Sequence, residues 1–471
     1  MTVMGFGIDY TTKKRLIEPI DEKEFFQRII DSFPHETFEG FTRTRRSGSV
    51  FKAEVERTHF PDLSNPLAVG WKYLVSDSDP RKDEIIEAVE PLAKHRGMAN
   101  PGDPMIYDCK FEHEWWEWIR NNCWPLALDE APYYIMIIGG PDQVPFLFQA
   151  LIDSTAAVGR IHFDSIDDLE EYVKKVIRLE KAADPVVSRE VVMFAPDGGI
   201  TDPTFFSRMY MAQPLSEHVK DKLNFSTKRI LEDDATKKSL TDALDNSNPA
   251  LVYTASHGLG APKERLEIQK KYNGAVCCQD MHTLENLTIP EFTYSADDVP
   301  LDGTYLEGSA FFEFSCFGYG TPKRSDFEHW LGDPKLNADE DFVSALPKKL
   351  LAHPKGPIGF FGHVDMAFLE GFADPNNPYI LKRWHSRVAP FKKAVEEILK
   401  AQSLGMILST MNERYEIGSI MLTNVIDGIR SGHLKMTPEE QARLVEYWIT
   451  RSDAQNYMLF GDPGTYVRIP A

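Results

Sequence analysis

Cysteine is scarce in this sequence of 471 residues, with five in all: Cys109, Cys123, Cys277, Cys278 and Cys316. The number is odd and no two form a Cys-x-x-Cys pair, so neither a disulfide framework nor a thiolate zinc site has support. Basic residues are also short. Lys and Arg number 52 against 72 Asp and Glu, giving a formal net charge of −20. Such an acidic surface repels phosphate backbones, which speaks against nucleic acid as a partner and favours basic substrates. No apolar run approaches the roughly 18 residues of a membrane span. The opening MTVMGFGIDYTTKKRL lacks the charged-then-apolar pattern of a signal peptide. No repeat, low-complexity tract or heptad pattern occurs. These absences predict a soluble cytoplasmic protein without a membrane partner, in a reducing compartment that keeps a reactive thiol free.

What is present is an ordinary globular balance, 42% hydrophobic and 26% charged, enough for a sizeable core. Residues 1–65 are weakly patterned and read as an accessory segment. Residues 66–471 settle into short apolar runs separated by helical stretches. The predicted strands start at Leu67, Tyr133, Glu190, Ala250, Phe311 and Gly356. They are β-branched or aromatic and nearly continuous rather than alternating, as expected of strands buried on both faces of a mainly parallel sheet. Between them, helices are predicted from Ser165, Thr236, Glu340 and Pro390. A further one from Thr437 has proline at its first helical position. The Ser165 helix has a serine cap, early acids and later lysines, matching the helix dipole. Strand–helix alternation predicts an α/β fold with its active groups where strands end.

Two such ends carry chemistry. The run LVYTA stops in Ser256-His257-Gly258-Leu259-Gly260, and AFFEF stops in Ser315-Cys316-Phe317-Gly318-Tyr319-Gly320. Each places a reactive side chain on a rigid strand end, followed by glycines that let a substrate backbone approach. His257 is the candidate base and Cys316 the candidate nucleophile, since a neighbouring imidazolium lowers a thiol pKa enough to supply thiolate. The backbone N–H groups of Gly258 and Cys316 are the candidate oxyanion donors. No metal and no cofactor is expected. Taken singly, a cysteine after a strand is ordinarily a buried small hydrophobe and a His-Gly pair ordinarily a turn. Cys277 and Cys278 are neighbours on a strand and point to opposite faces, so they read as core. The stripe HEWWEWIR from His113 reads as a packing face.

Collinear segments from about Leu67 to the end resemble clan CD cysteine peptidases, closest to gingipain-like and CHAT-like prokaryotic members. They are MIIGGPDQVPF from Met136, the Val158-Gly159-Arg160 segment with its following helix, and YTASHGLGAP from Tyr253. GAVCCQD from Gly274, FSCFGYGTP from Phe314, GPIGFFGHVDMAF from Gly356 and NYMLFGDPGTYVRI from Asn456 complete the series. The His-before-Cys order, roughly 60 positions apart, is near the roughly 50 of the caspase pattern. Phe368 departs from the tryptophan common in the subgroup, and Thr155 and Ala156 replace a bulkier pair. The resemblance implies a caspase-like sandwich, a mostly parallel sheet with helices on both faces. It implies a regulated endopeptidase acting on proteins or peptides, held inactive until a partner, a cleavage or a second messenger releases it. The stretches from Lys263 to Asp302 and from Lys323 are candidate regulatory loops. A third catalytic residue, an acid near the histidine, is implied but not assignable from sequence.

Specificity is expected for arginine or lysine before the scissile bond. The candidate acids are Asp153, preceding Val158-Gly159-Arg160, and Asp365, in Gly362-His363-Val364-Asp365. In related enzymes acids at matching places line the primary pocket, and a carboxylate can take a guanidinium through two parallel hydrogen bonds. Each aspartate can equally cap a turn. His363 is a further candidate for the groove. Two rival readings are an inactive scaffold or binding module on this fold, and another cysteine acyl-transfer enzyme.

Overall fold

The computed structural model describes residues 2–21, 23–25, 27–28, 62–123, 131–245, 247–327, 338–373, 387–435 and 437–470. In chain order its principal strands are β1 (Gly7–Asp9), β2 (Trp71–Ser76), β3 (Met105–Tyr107), β4 (Tyr134–Ile138), β5 (Ala157–Ile161), β6 (Ser188–Ala195) and β7 (Ser226–Leu231). There follow β8 (Pro249–Ala255), β9 (Gly258–Gly260), β10 (Val276–Cys277), β11 (Thr293–Tyr294), β12 (Ala310–Phe314), β13 (Gly359–His363) and β14 (Tyr457–Gly461).

Ten of them form one sheet in the order β3-β2-β4-β5-β14-β13-β12-β8-β6-β7. Every neighbouring pair is parallel except β13 with β14. The sheet is thus two parallel halves running in opposite directions. The carboxyl ends of β8, β12 and β13 share one edge with the amino ends of β5 and β14. A second sheet, β11-β10-β9-β1, stands at that edge.

The strands are as apolar as the sequence predicts because both faces are covered. Along β12, Phe312 and Phe314 pack into one hydrophobic cluster and Phe311 into another. Along β8, Tyr253 and Val252 divide in the same way. The first cluster takes Leu215 and Val219 from the helix Gln213–Leu223, and Phe391, Val395 and Ile398 from the helix Ala389–Leu399. The second takes Val89 and Leu92 from Lys82–His95, Val173 and Val176 from Ile166–Lys181, and Leu350 from Ala345–Ala352. The result is an α/β sandwich with a mostly parallel sheet and helices on both faces. Aromatic rings stack between adjacent strands, Phe311 on Phe360 at 5.3 Å and Phe312 on Phe361 at 5.7 Å. Such pairs contribute about 0.5–1.5 kcal/mol each beyond their buried area, so β12 is rigidly seated where it delivers Cys316.

Several predicted elements begin or end differently. Leu67 belongs to a short helix, Pro66–Val69, that precedes β2. β13 ends at His363 and Asp365 has φ +69°, so strand alternation does not carry on to Asp365. Ser165 and Thr437 cap their helices as expected, accepting from Asp167 N and Glu440 N. The aromatic stripe lies on the helix Trp115–Asn122, with Trp115, Trp118 and Ile119 buried.

Candidate active site

β8 and β12 are adjacent and in register, with Ala255 opposite Phe314. Their carboxyl ends therefore deliver His257 and Cys316 side by side. The approach is closest at Gly258: a Cβ there would lie 1.8 Å from the carbonyl oxygen of Cys316 and 2.9 Å from its nitrogen. Only glycine lets the two motifs meet backbone to backbone. Beyond the thiol the chain turns sharply. Phe317 has φ +60°, and its N–H donates to the carbonyl of Asp365 at 2.7 Å. Phe317 and Asp365, two non-glycine residues in the left-handed region beside Cys316, are a costly arrangement that tends to cluster at functional sites.

His257 is fully buried. Its Nε2 lies 2.9 Å and 3.1 Å from the two carboxylate oxygens of Asp202, and its Nδ1 meets the carbonyl oxygen of Phe6. Both partners are acceptors. Asp202 follows β6, the strand next to β8, and also accepts from the N–H and hydroxyl of Thr204 at 2.9 and 2.6 Å. Burial disfavours its charge, but the facing His257 and the Thr204 hydrogen bonds outweigh this and hold its carboxyl well below the usual range. Asp202 is an acid beside His257 that the sequence alone does not single out. In sequence it looks like a helix cap before Pro203, and it is one. The available signal was its place after the end of a buried strand.

Cys316 is completely buried. Its sulfur accepts from Ala367 N at 3.3 Å and approaches Ala367 O at 3.7 Å. Burial drives the thiol pKa far up, only partly opposed by the backbone N–H groups of Ala367 and Phe6. Both ring nitrogens of His257 are engaged elsewhere, and the backbone of Phe6 lies against sulfur and ring alike. A cleft of about 1040 Å³ lined by Asp142, His162, Lys270 and Lys348 includes neither His257 nor Cys316.

The other candidates divide. Asp365 is buried beside the thiol, and Cys316 feels its charge. Its Oδ2 accepts from Ser325 Oγ and Asp326 N at 2.7 and 2.9 Å, while Oδ1 has no partner. Burial and the nearby Asp326 push its carboxyl up to about 8. His363 is fully buried. Its ring is buried against Tyr457 at 4.8 Å and lies between the carbonyls of Asp365 and Asp453. Burial lowers its pKa to about 4, as expected of a neutral core histidine. Asp153 lies on the same sheet edge, but β14 and β13 separate its strand from β12, a lateral distance of roughly 14 Å at about 4.8 Å per strand. Its Oδ1 accepts from Val158 N, which is the turn-capping role, and the structure does not bring it to the dyad.

Arg160 is buried and donates to Gln149 Oε1, Gly139 O and Val144 O. One guanidinium thus joins two of the segments that carried the family resemblance. Cys277 and Cys278 are buried in different hydrophobic clusters, as neighbours on a strand should be. The stretch from Lys263 to Asp302 is built of short helices and β10–β11. Of the stretch from Lys323, residues 328–337 lie outside the described residues. Asp202, His257 and His282 offer ligand atoms within 4.8 Å of one another. A cation there would compete with Arg15, whose guanidinium stands 3.8 Å from Asp202.

No known family's sequence model matches the chain, and no curated protein matches it. Among solved structures it is similar to a complex of the pro- and mature domains of RgpB from Porphyromonas gingivalis. That match has 10% identity and a TM-score of 0.46, and covers 84% of this chain and 79% of that one. It is similar to the Arg-specific cysteine proteinase gingipain R, at 12% identity and a TM-score of 0.43 over 84% and 78% of the two chains. A third structure, described only as a protease, matches at 12% identity and a TM-score of 0.47 over 85% and 79%.

Proposed function

We propose that this chain is a cysteine endopeptidase in which Cys316 attacks a peptide carbonyl and His257, held by Asp202, moves the proton. The observation that carries the reading is the meeting of the two strand ends at Gly258, with Nδ1 of His257 turned toward a peptide carbonyl, that of Phe6. Asp202 fixes Nε2 and leaves Nδ1 to work. In the reaction Nδ1 takes the thiol proton as sulfur bonds to the carbonyl carbon. The oxyanion so formed faces the N–H groups of Gly258 and Cys316, and the proton passes to the leaving amine as the C–N bond breaks. Water, deprotonated by the same nitrogen, then releases the acyl group and regenerates the thiol.

For side-chain preference, the expectation of arginine or lysine has one support, Oδ1 of Asp365 beside the thiol, and against it stands the apolar seat that the Phe6 ring fills beside Phe314 and Phe372. Burying a guanidinium beside Asp365 would satisfy that oxygen, and a neutral residue would leave it unpaired. An electrophilic peptide probe, with peptides varying only the residue before the scissile bond, tests the proposal. Cys316→Ala should lose probe labelling and all turnover with unchanged circular dichroism. Hydrolysis that survives in this variant refutes the peptidase reading. Probe labelling of Cys316 without hydrolysis of any peptide, from a cleft verified as open, turns the reading toward the scaffold or another acyl transfer.

A further inference from the structure

The segment around Phe6 does not behave as an accessory. Residues Met4 to Asp9 run as one extended strand through the site. Its first half lies antiparallel to Ala367–Leu369: Phe6 N donates to Ala367 O at 3.1 Å, Leu369 N donates to Met4 O at 3.0 Å, and Gly5 stands opposite Phe368. Its second half is β1, parallel to β9, with Gly7 opposite Gly258 and Asp9 opposite Gly260. The change of partner falls at the Phe6–Gly7 peptide, beside His257 and Cys316. Backbone pairing on both sides of one bond is how a sheet edge holds an extended peptide.

The side chains are equally specific. The Phe6 ring is fully buried, edge-on to Phe314 at 4.9 Å and 5.8 Å from Phe372 and from His257. After β1 the chain folds back as a hairpin, with Ile8 bridged to Arg15. The Arg15 guanidinium donates to Thr201 O and stands by Asp202. The strand therefore reaches His257 and Cys316, and its returning hairpin brings Arg15 to Asp202. Its seat is also unreactive. The Phe6 carbonyl oxygen is turned to Nδ1, the nitrogen that must take the thiol proton, and sulfur is tied to Ala367.

We infer that Met4–Asp9 is a built-in mimic of the substrate that closes the channel between β9 and Ala367–Leu369. Phe6–Gly7 sits where the scissile bond would lie, and the pocket on its acyl side is built for an aromatic or large apolar side chain. The closure stands on geometry alone; the pocket's role in specificity rests on the peptidase reading.

Alkylation of Cys316 by iodoacetamide in the full chain, located by peptide mass mapping, tests this. Phe6→Glu and Phe6→Ala should raise the rate at least tenfold over the unaltered chain, and Phe6→Leu should stay near it. The free peptide Met-Gly-Phe-Gly-Ile-Asp should slow alkylation of Phe6→Ala, and the same peptide with arginine in place of phenylalanine should not. If Phe6→Glu fails to fold, Phe6→Ala and the peptides carry the test. Equal rates in the unaltered chain and in Phe6→Ala overturn the closure. Stronger protection by the arginine peptide overturns the pocket. Opening of Cys316 without hydrolysis of any peptide supports the closure and removes the peptidase reading. Equal hydrolysis by the unaltered chain and Phe6→Ala supports that reading and removes the closure.

Discussion

Replacing Asp202 with asparagine should cost far more activity than stability. The carboxylate lies 2.9 Å from Nε2 of His257 and can only accept, so Nε2 must carry a proton and Nδ1 is left to work as the base. Asparagine fits the same space and can turn its NH₂ toward Nε2. The neutral ring then moves its proton to Nδ1, which can no longer take one from the thiol. Losing general-base help of this kind is worth about 10²- to 10⁴-fold in rate, or about 3–5 kcal/mol at about 1.36 kcal/mol per factor of ten. Folding should suffer less, because an asparagine oxygen can still cap Thr204. The assay is turnover by a variant whose channel is open, such as Phe6→Ala, with and without Asp202→Asn. The rate of Cys316 alkylation is followed against pH in both. We expect turnover to fall by at least 10² and the alkylation profile to move to higher pH. Asp202→Glu should recover part of the loss. Unchanged turnover and an unchanged profile in Asp202→Asn would refute the assignment of Asp202 as the residue that positions His257.

Two further outcomes follow from particular contacts. Gly258→Ala places a Cβ 1.8 Å from the Cys316 carbonyl oxygen, and the atoms it meets are all backbone. Overpacking of this kind costs about 1–3 kcal/mol, so chemical denaturation should show that loss together with reduced turnover; a variant equal to the parent in both would mean the two strand ends are not held together. Glu313 on β12 is pushed by burial up to about 8, partly opposed by its hydrogen bond from Ser315, against an ordinary value of 4.5. A carboxyl whose folded pKa is raised adds most stability below its unfolded pKa and loses that contribution as pH climbs to the folded one. Glu313→Gln keeps the Ser315 contact and removes this fall, so its stability relative to the parent should rise between about pH 4.5 and 8 by an amount on the order of a few kcal/mol. Parallel pH profiles in urea unfolding would show that Glu313 ionises without cost.

The strands most legible in the sequence are those buried on both faces. YIMII, PALVYTA and AFFEF are continuous apolar runs because helices cover them from both sides. β7, at the sheet edge, reads STKRIL with three residues exposed, and a half-solvated edge strand carries little apolar signal. The long helix Ser409–Arg430 was missed for a related reason: few of its residues are buried, so its apolar period is faint. The reversal of strand direction between β13 and β14 leaves no local mark, since it is set by how the last strand inserts rather than by what it is made of. The same reversal brings Asp153 to the edge that bears Cys316, although not to the site.

The site was legible to the extent that a strand end announces itself. His257 and Cys316 are single residues at the close of apolar runs, and two adjacent parallel strands bring their ends together without further instruction. Asp202 obeys the same rule one strand over, but its aspartate-proline sequence also satisfies a helix cap, and a residue with two jobs shows only the commoner one. Phe6 shows neither. MGFGID has no apolar run and no period, because its pairing is with backbone on both sides and only one side chain in it fills an aromatic pocket. A strand recognised through its main chain writes almost nothing into its own residues, as is expected of a peptide held by backbone pairing. The glycine at position 7 follows Phe6 for a packing reason visible only in three dimensions, whereas a Cβ on Gly5 would make only ordinary contacts, 3.6 Å from Ile17. A Cβ on Gly7 would strike Leu16 of the returning hairpin at 2.4 Å. The hairpin, the glycine and the aromatic anchor thus form one unit, and its function becomes apparent only once β9 and Ala367–Leu369 are seen on either side of it.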